Sequence, residues 1–109
     1  MFLLIMEEHI KRGWIFVCTN RTERECFENM LFGDQDREEY RSRFENIEIG
    51  DGAFLYNLDR EKLYGFYVIK EKGRNLEPQK WGGRFPLQVR VELQTHYQLA
   101  CDLTKKRIV

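Results

Sequence analysis

The chain has little that would support catalysis, crosslinking or bulk electrostatic attraction. Its 109 residues include two histidines, three cysteines and two prolines. His9 and His96 stand near opposite ends with no ligand-spaced partner, so imidazole-based metal and acid–base sites lack their residues. Cys18, Cys26 and Cys101 are odd in number, and their spacing fits neither a zinc set nor a CxxC pair. A reduced, cytoplasmic setting is expected, with Cys18 and Cys26 as small core residues. There is no nucleophile elbow, Walker loop or His-Glu-x-x-His motif. The acidic pairs Glu7-Glu8 and Glu38-Glu39 are adjacent, and neighbours on a helix do not face each other. A non-enzymatic protein is expected, with no metal and no cofactor.

Net charge is also missing: 18 basic residues balance 18 acidic ones. A field that draws in nucleic acid from all sides is therefore excluded. The balance is uneven along the chain. Between Lys70 and Arg90 six bases (Lys70, Lys72, Arg74, Lys80, Arg84, Arg90) face only Glu71 and Glu77. That stretch is either a local phosphate contact or an ordinary solvated face. No apolar stretch reaches membrane-spanning length. Met1 to Met6 is apolar, but Glu7 and Glu8 follow without a basic n-region or cleavage site, so neither a signal peptide nor a membrane partner is expected. That segment is suited to packing on the core or to meeting a second subunit.

What is present reads as one globular domain over 1–109, with 42% hydrophobic and 33% charged residues. Aromatics reach 14%, enough to fill a small β core and also to line a ligand site. The organising stretch runs from Gly52 to Arg74. Phe54-Leu55-Tyr56 and Leu63 to Ile69 form two strand-like runs, and Asn57 and Asp59 supply the turn between them. Gly13 to Asn20 predicts a strand apolar on both faces, hence a central one, ending in polar Thr19-Asn20. Thr22 to Leu31 predicts a helix with a Thr22/Glu25 capping box, and Gly33 beyond its end. Tyr40 and Phe44 predict a second helical turn. Ile47 to Ile49 predicts a short strand before a Gly50-Asp51-Gly52 turn. Phe85 to Leu93 predicts a strand with Leu87, Val89, Val91 and Leu93 inward and Gln88, Arg90 and Glu92 outward. Thr95 to Leu103 reads as a further strand or a helix, and the Lys105-Lys106-Arg107 tail as solvated. The sum is an α+β fold: a small curved sheet or β-barrel with one or two helices after the first long strand.

The ordered blocks resemble the DCD (development and cell death) family. Gly13-Trp14-Ile15-Phe16-Val17-Cys18 resembles its opening strand, and Leu31-Phe32-Gly33 its L-F-G block. Phe54-Leu55-Tyr56-Asn57 resembles F-L-Y-N, and Leu63-Tyr64-Gly65-Phe66 the strand that follows. Arg84-Phe85-Pro86-Leu87-Gln88-Val89-Arg90-Val91 resembles R-[FY]-P-A-Q-V-R-V. The chain departs from the pattern at Asp34-Gln35, where Leu-Pro is usual, at Leu87, and at Tyr67-Val68. The resemblance implies a PUA-like fold, distantly similar to EVE, ASCH and YTH domains. It also implies a pocket near the end of the first strand for a nucleotide, a modified base or single-stranded nucleic acid.

A pocket for a flat ring needs aromatic faces and edge-reading polar groups. Thr19 and Asn20 would read the ring edge, although Asn20 equally suits a helix cap. Trp81, set before Gly82 and Gly83, is the ring expected to stack, with Phe32 as a second; it equally suits a lid on the barrel end. Tyr56 and Asn57, at a strand end and turn, are further ligand-binding candidates that equally suit holding the hairpin. Lys80 and Arg84 would meet phosphate. The competing expectation is a protein-interaction module with no small-molecule ligand, docking through an apolar surface or a sheet edge.

Overall fold

A computed structural model describes residues 12–94 and, for the backbone, 99–102. The apolar N-terminal segment, His9, His96, the Cys101 side chain and the basic tail lie outside the described residues. In chain order the elements are β1 (Gly13–Cys18), α1 (Glu23–Asn29), β2 (Leu31–Asp34), α2 (Glu38–Asn46), β3 (Gly52–Asn57), β4 (Lys62–Arg74), a 3-10 turn (Lys80–Gly83), β5 (Leu87–Leu93) and β6 (Leu99–Asp102).

Among the described residues, all six strands belong to one mixed sheet in the order β1-β3-β4-β5-β2, with β6 added on β4. β1 runs parallel to β3, and the other pairs are antiparallel. The expected hairpin is present as β3 and β4, and β4 continues to Arg74. β4 is shared on its other edge: Lys62 to Gly65 pair with β6, and Tyr67 to Arg74 with β5. Its register slips between Ile69 and Glu71. A slip of this kind bends a strand, and the sheet curls into a half-barrel. The two ends of the path, β1 and β2, thereby approach each other; the Phe16 and Phe32 rings sit 5.7 Å apart.

Alternation sorts the side chains. Phe16, Leu31, Phe32, Leu55, Tyr67, Ile69, Val89 and Val91 form the main core cluster with Cys26 of α1. Burying one such side chain stabilises by about 1.5–3 kcal/mol. Phe54 and Phe66, one residue out of phase, form a smaller cluster with Leu63 and Val68. Both helices follow the expected positions. α2 ends under Lys72, whose Nζ donates to the carbonyls of Phe44 and Ile47 at 3.0 and 2.8 Å and so satisfies helix-end acceptors.

Several local expectations are corrected. Thr22 makes no side-chain cap to α1; its hydroxyl accepts from the Thr19 N–H at 2.9 Å and serves the preceding turn. Asn20 caps nothing either: its N–H donates to Asp59. The helix ends at Met30, which takes the left-handed conformation (φ 50°) expected of Gly33. Gly33 instead lies in β2, a strand the sequence did not announce. Residues 47–49 form no strand: Ile47 is buried and Ile49 exposed. β1 is not central but stands at the end of the sheet path, with Ile15 48% and Val17 49% exposed. Gln88, expected to face solvent, is 1% exposed. It clamps the preceding loop, accepting from Glu77 N–H and donating to the Glu77 and Phe85 carbonyls.

Two expected outcomes follow from this packing. A Cβ on Gly65 would fall into the Phe54 ring, 2.7 Å from Cε1 and nearer still to Cδ1. Gly65→Ala should therefore lower stability by about 1–3 kcal/mol, the usual cost of overpacking, read as a shift in the urea midpoint. Asp36 is held between Arg74 (2.9 Å) and Arg41 (2.5 Å), which bring its carboxyl down to about 2. The unfolded value is about 3.9. The folded value is the lower one, so the stabilisation is complete above the unfolded value and fades as pH falls through the folded one. Asp36→Asn should flatten the acid limb of stability between about pH 4 and about pH 2; identical limbs in parent and variant would contradict this.

Candidate functional site

A cleft of about 460 Å³ opens where the C-terminal end of β1 meets β2. Val17, Cys18 and Thr19 form one side, and Gly33, Asp34 and Gln35 the other. Arg21 and Thr22 enter from the β1–α1 turn, Leu58 from the β3–β4 turn, Tyr40 from α2, and Arg84 with Phe85 from the segment before β5. The turn at Thr19 is fixed by Thr22 N–H and Glu23 N–H, both donating to the Thr19 carbonyl.

The wall beside β2 depends on Gly33. A Cβ there would sit 3.0 Å from Phe85 Cβ and 3.1 Å from Trp81 Cζ3, so only glycine lets that segment lie so close. Trp81 is wedged behind this wall. It adopts a left-handed backbone (φ 52°), is 4% exposed, and donates its indole N–H to the Thr22 carbonyl at 3.2 Å. Its ring meets Phe85 edge-on at 5.6 Å. Arg84 donates from Nε to the Trp81 carbonyl at 3.0 Å and lies over the Phe85 ring.

Of the candidates named from sequence, Thr19 and Arg84 line the cleft. Phe32 is fully buried between Phe16 and Tyr67. Neither Phe32 nor Trp81 has a face open to a guest in this conformation; both fill the core instead. Asn57 is fully buried, and its amide is used up: Nδ2 donates to Asn20 Oδ1 (3.1 Å) and Glu23 Oε2 (2.9 Å), while Oδ1 accepts from Arg60 N–H. Asn20 and Asn57 thus lock the two turns to each other. Tyr56 is half-buried in β3, beside Val17. Lys80 Nζ lies 3.9 Å from Glu77.

The basic stretch is neutralised from within. Lys70 pairs with Glu92, Arg74 with Asp36, Lys80 with Glu77, and Arg90 with both Glu71 and Glu77. Lys72 is committed to helix carbonyls. Among the described residues, Arg84 has no carboxylate partner. Neither does Arg21, which sequence reasoning passed over; only its place in the turn between a strand end and a helix start marked it. Asp34 and Arg43 were also missed, hidden in a charge-dense stretch. Arg43 donates to Asp34 Oδ2 (2.5 Å) and to the Ile15 carbonyl (2.9 Å), tying β2 to β1. Burial pushes the Asp34 carboxyl up, against the pull of Arg43.

Cys18 lines the cleft as a buried thiol, 3% exposed. Cys18 and Cys26 are free and buried, and Cys26 is pushed up by its hydrogen bond to Cys18 and by burial. A thiol in that state is inert. Among the described residues no three His, Cys, Asp or Glu side chains gather as a metal set, and no helix is long and apolar enough to cross a membrane.

The development and cell death domain model matches residues 12–108. The chain is 39% identical over 87 residues to the B2 protein of Daucus carota, with 72% of this chain and 41% of that protein covered. It is 39% identical over 87 residues to the DCD domain-containing protein NRP-B of Glycine max and 38% over 86 to NRP of Arabidopsis thaliana, covering 26% and 24% of those proteins. The same 72% of this chain is matched in each. The chain therefore belongs to the development and cell death domain family, and it spans less than half the length of these relatives.

The buried indole sets an expectation for Trp81→Ala. Removing it should lower stability by about 3–5 kcal/mol, the range for deleting a buried aromatic. An unchanged denaturant midpoint would place the ring at the surface instead.

Proposed function

We propose that this development and cell death domain is a non-catalytic docking module that takes a segment of a partner protein at the cleft and the ledge beside it. The observation that carries this reading is an apolar ledge continuous with the cleft. Ile15, Val17 and Leu58 are 48%, 49% and 53% exposed, and Val17 and Leu58 also line the cleft. Exposed apolar side chains gathered beside a cavity are the usual mark of a contact surface. The internal pairing of Lys70, Arg74, Lys80 and Arg90 points the same way, because a phosphate backbone would have to compete with carboxylates already in place. Within longer relatives, such a domain would serve as the part that recruits. The buried, free Cys18 and Cys26 fit a reducing compartment such as the cytoplasm.

One observation favours a nucleotide or a modified base as a second reading. The cleft volume falls in the range of small-molecule sites. Thr19, Arg84 and Phe85 line it, at the end of the first strand where the PUA-like resemblance expects a ligand.

Panning a displayed peptide library on the chain separates the two. Selected peptides should bind the parent and lose about tenfold, near 1.4 kcal/mol, on Val17→Asp and on Leu58→Asp, with melting temperature unchanged. Failure to select any peptide, alongside saturable binding of a nucleotide, would reverse the order of the two readings.

A further inference from the structure

We propose that the cleft accepts an acidic side chain, Asp or Glu, from the docked segment, held between Arg21 and Arg84. This rests on the docking reading and names the chemistry of its occupant. Acids and bases are equal in number in this chain, and most described bases sit against a carboxylate or a carbonyl. Arg21 and Arg84 line one cleft, and among the described residues neither has an acidic partner. The carboxylate that shares their cleft, Asp34, is already held by Arg43 at 2.5 Å and leaves the two cations uncompensated. Such a site is electrically incomplete, and a carboxylate completes it through charge-assisted hydrogen bonds.

Arg84 is set up for this. Its Nε is fixed on the Trp81 carbonyl, and its guanidinium carbon lies 5.6 Å from the Phe85 ring centroid. The planar group is thereby held with its terminal nitrogens uncommitted. A fork oriented in advance loses less side-chain freedom when it binds. Val17 and Leu58 at the rim add an apolar neighbour, so the segment that fits carries an acid beside an aliphatic residue.

The ring faces decide against a base in the same place. Two rings line the cleft, Tyr40 and Phe85, and each already carries a guanidinium: Arg43 lies 5.8 Å from the Tyr40 centroid, and Arg84 covers Phe85. A base stacked on those faces would have to displace an arginine. A carboxylate uses the arginines where they stand.

The test extends the peptide selection. Peptides enriched on the parent should carry Asp or Glu next to an aliphatic residue. Arg21→Glu, at an exposed position without partners, should weaken them about tenfold or more, and Arg84→Gln comparably. Neither change should weaken the same peptides once their acid is replaced by Asn or Gln. Arg84→Gln also removes the bond to Trp81, so Arg21→Glu decides if that variant melts early. Enriched peptides with no acidic bias, or peptides indifferent to Arg21→Glu, overturn the carboxylate clamp. If those peptides still respond to Val17→Asp, docking itself stands. Binding that requires a phosphoryl group on the peptide, or a nucleotide that displaces the peptides and is lost with Arg84→Gln, also overturns it. No selected peptide at all is failure of the docking reading rather than of the clamp.

Discussion

Closing a curved sheet whose end strands do not pair is the problem this fold solves, and Arg43 is its solution. β1 and β2 face each other without a hydrogen-bonded ladder. Arg43 reaches from α2 to the Ile15 carbonyl on one side and the Asp34 carboxylate on the other, with its guanidinium 5.1 Å from the Phe16 ring centroid. One planar cation thus serves a backbone acceptor, a buried acid and a core ring together. The cost of burying Asp34, visible in its raised carboxyl value, is met only in part by that ion pair. The cleft begins where this seam stops, so its shape depends on the seam being held.

Away from the seam, single polar side chains organise the turns. Asp51 is 5% exposed and accepts from the Trp14 indole and from Glu48 N–H. Asn57 ties the β3–β4 turn to Asn20 and to the start of α1. Gln88 clamps residues 77–85. Arg90 reaches Asn29 and Glu77. Many of the residues that carried the resemblance to the development and cell death family belong to this scaffold. The hydrogen-bonding capacity of Asn57, Gln88 and Arg90 is spent within the molecule, whereas Arg84 and Val17, from the same blocks, line the cleft with Thr19, Arg21 and Leu58.

The hairpin and the inward stripe of β5 were legible, because two-residue alternation and turn residues leave direct marks in sequence. α1 was legible from its apolar spacing, but its ends were not. Thr22 and Glu25 have the pattern of a capping box, yet the Thr22 hydroxyl is drawn to the preceding turn and Glu25 accepts from Trp81 N–H. β2 escaped because it is only four residues long and begins at a left-handed methionine, a conformation that composition does not announce. Gln88 was read as outward because it is polar, whereas its partners are backbone groups that sequence does not display. Trp81 shows the same limit. Neighbouring glycines left a stacking ring and a lid equally open, and the ring is packed against β2 and the start of α1, which are distant in sequence.

The parallel pairing of β1 with β3 has a kinetic consequence. The antiparallel hairpin β3–β4 closes on a few residues, and β5 follows across one loop. β1 can join only after the whole segment from 19 to 51, which carries α1, β2 and α2, has been brought round, and the entropy of closing so long a loop must be met before its contacts form. The meander is therefore expected to assemble first and β1 to dock late. Since β1 supplies one wall of the cleft, the cleft itself is expected to be completed in the last step of folding and to be the first feature lost when the domain begins to open.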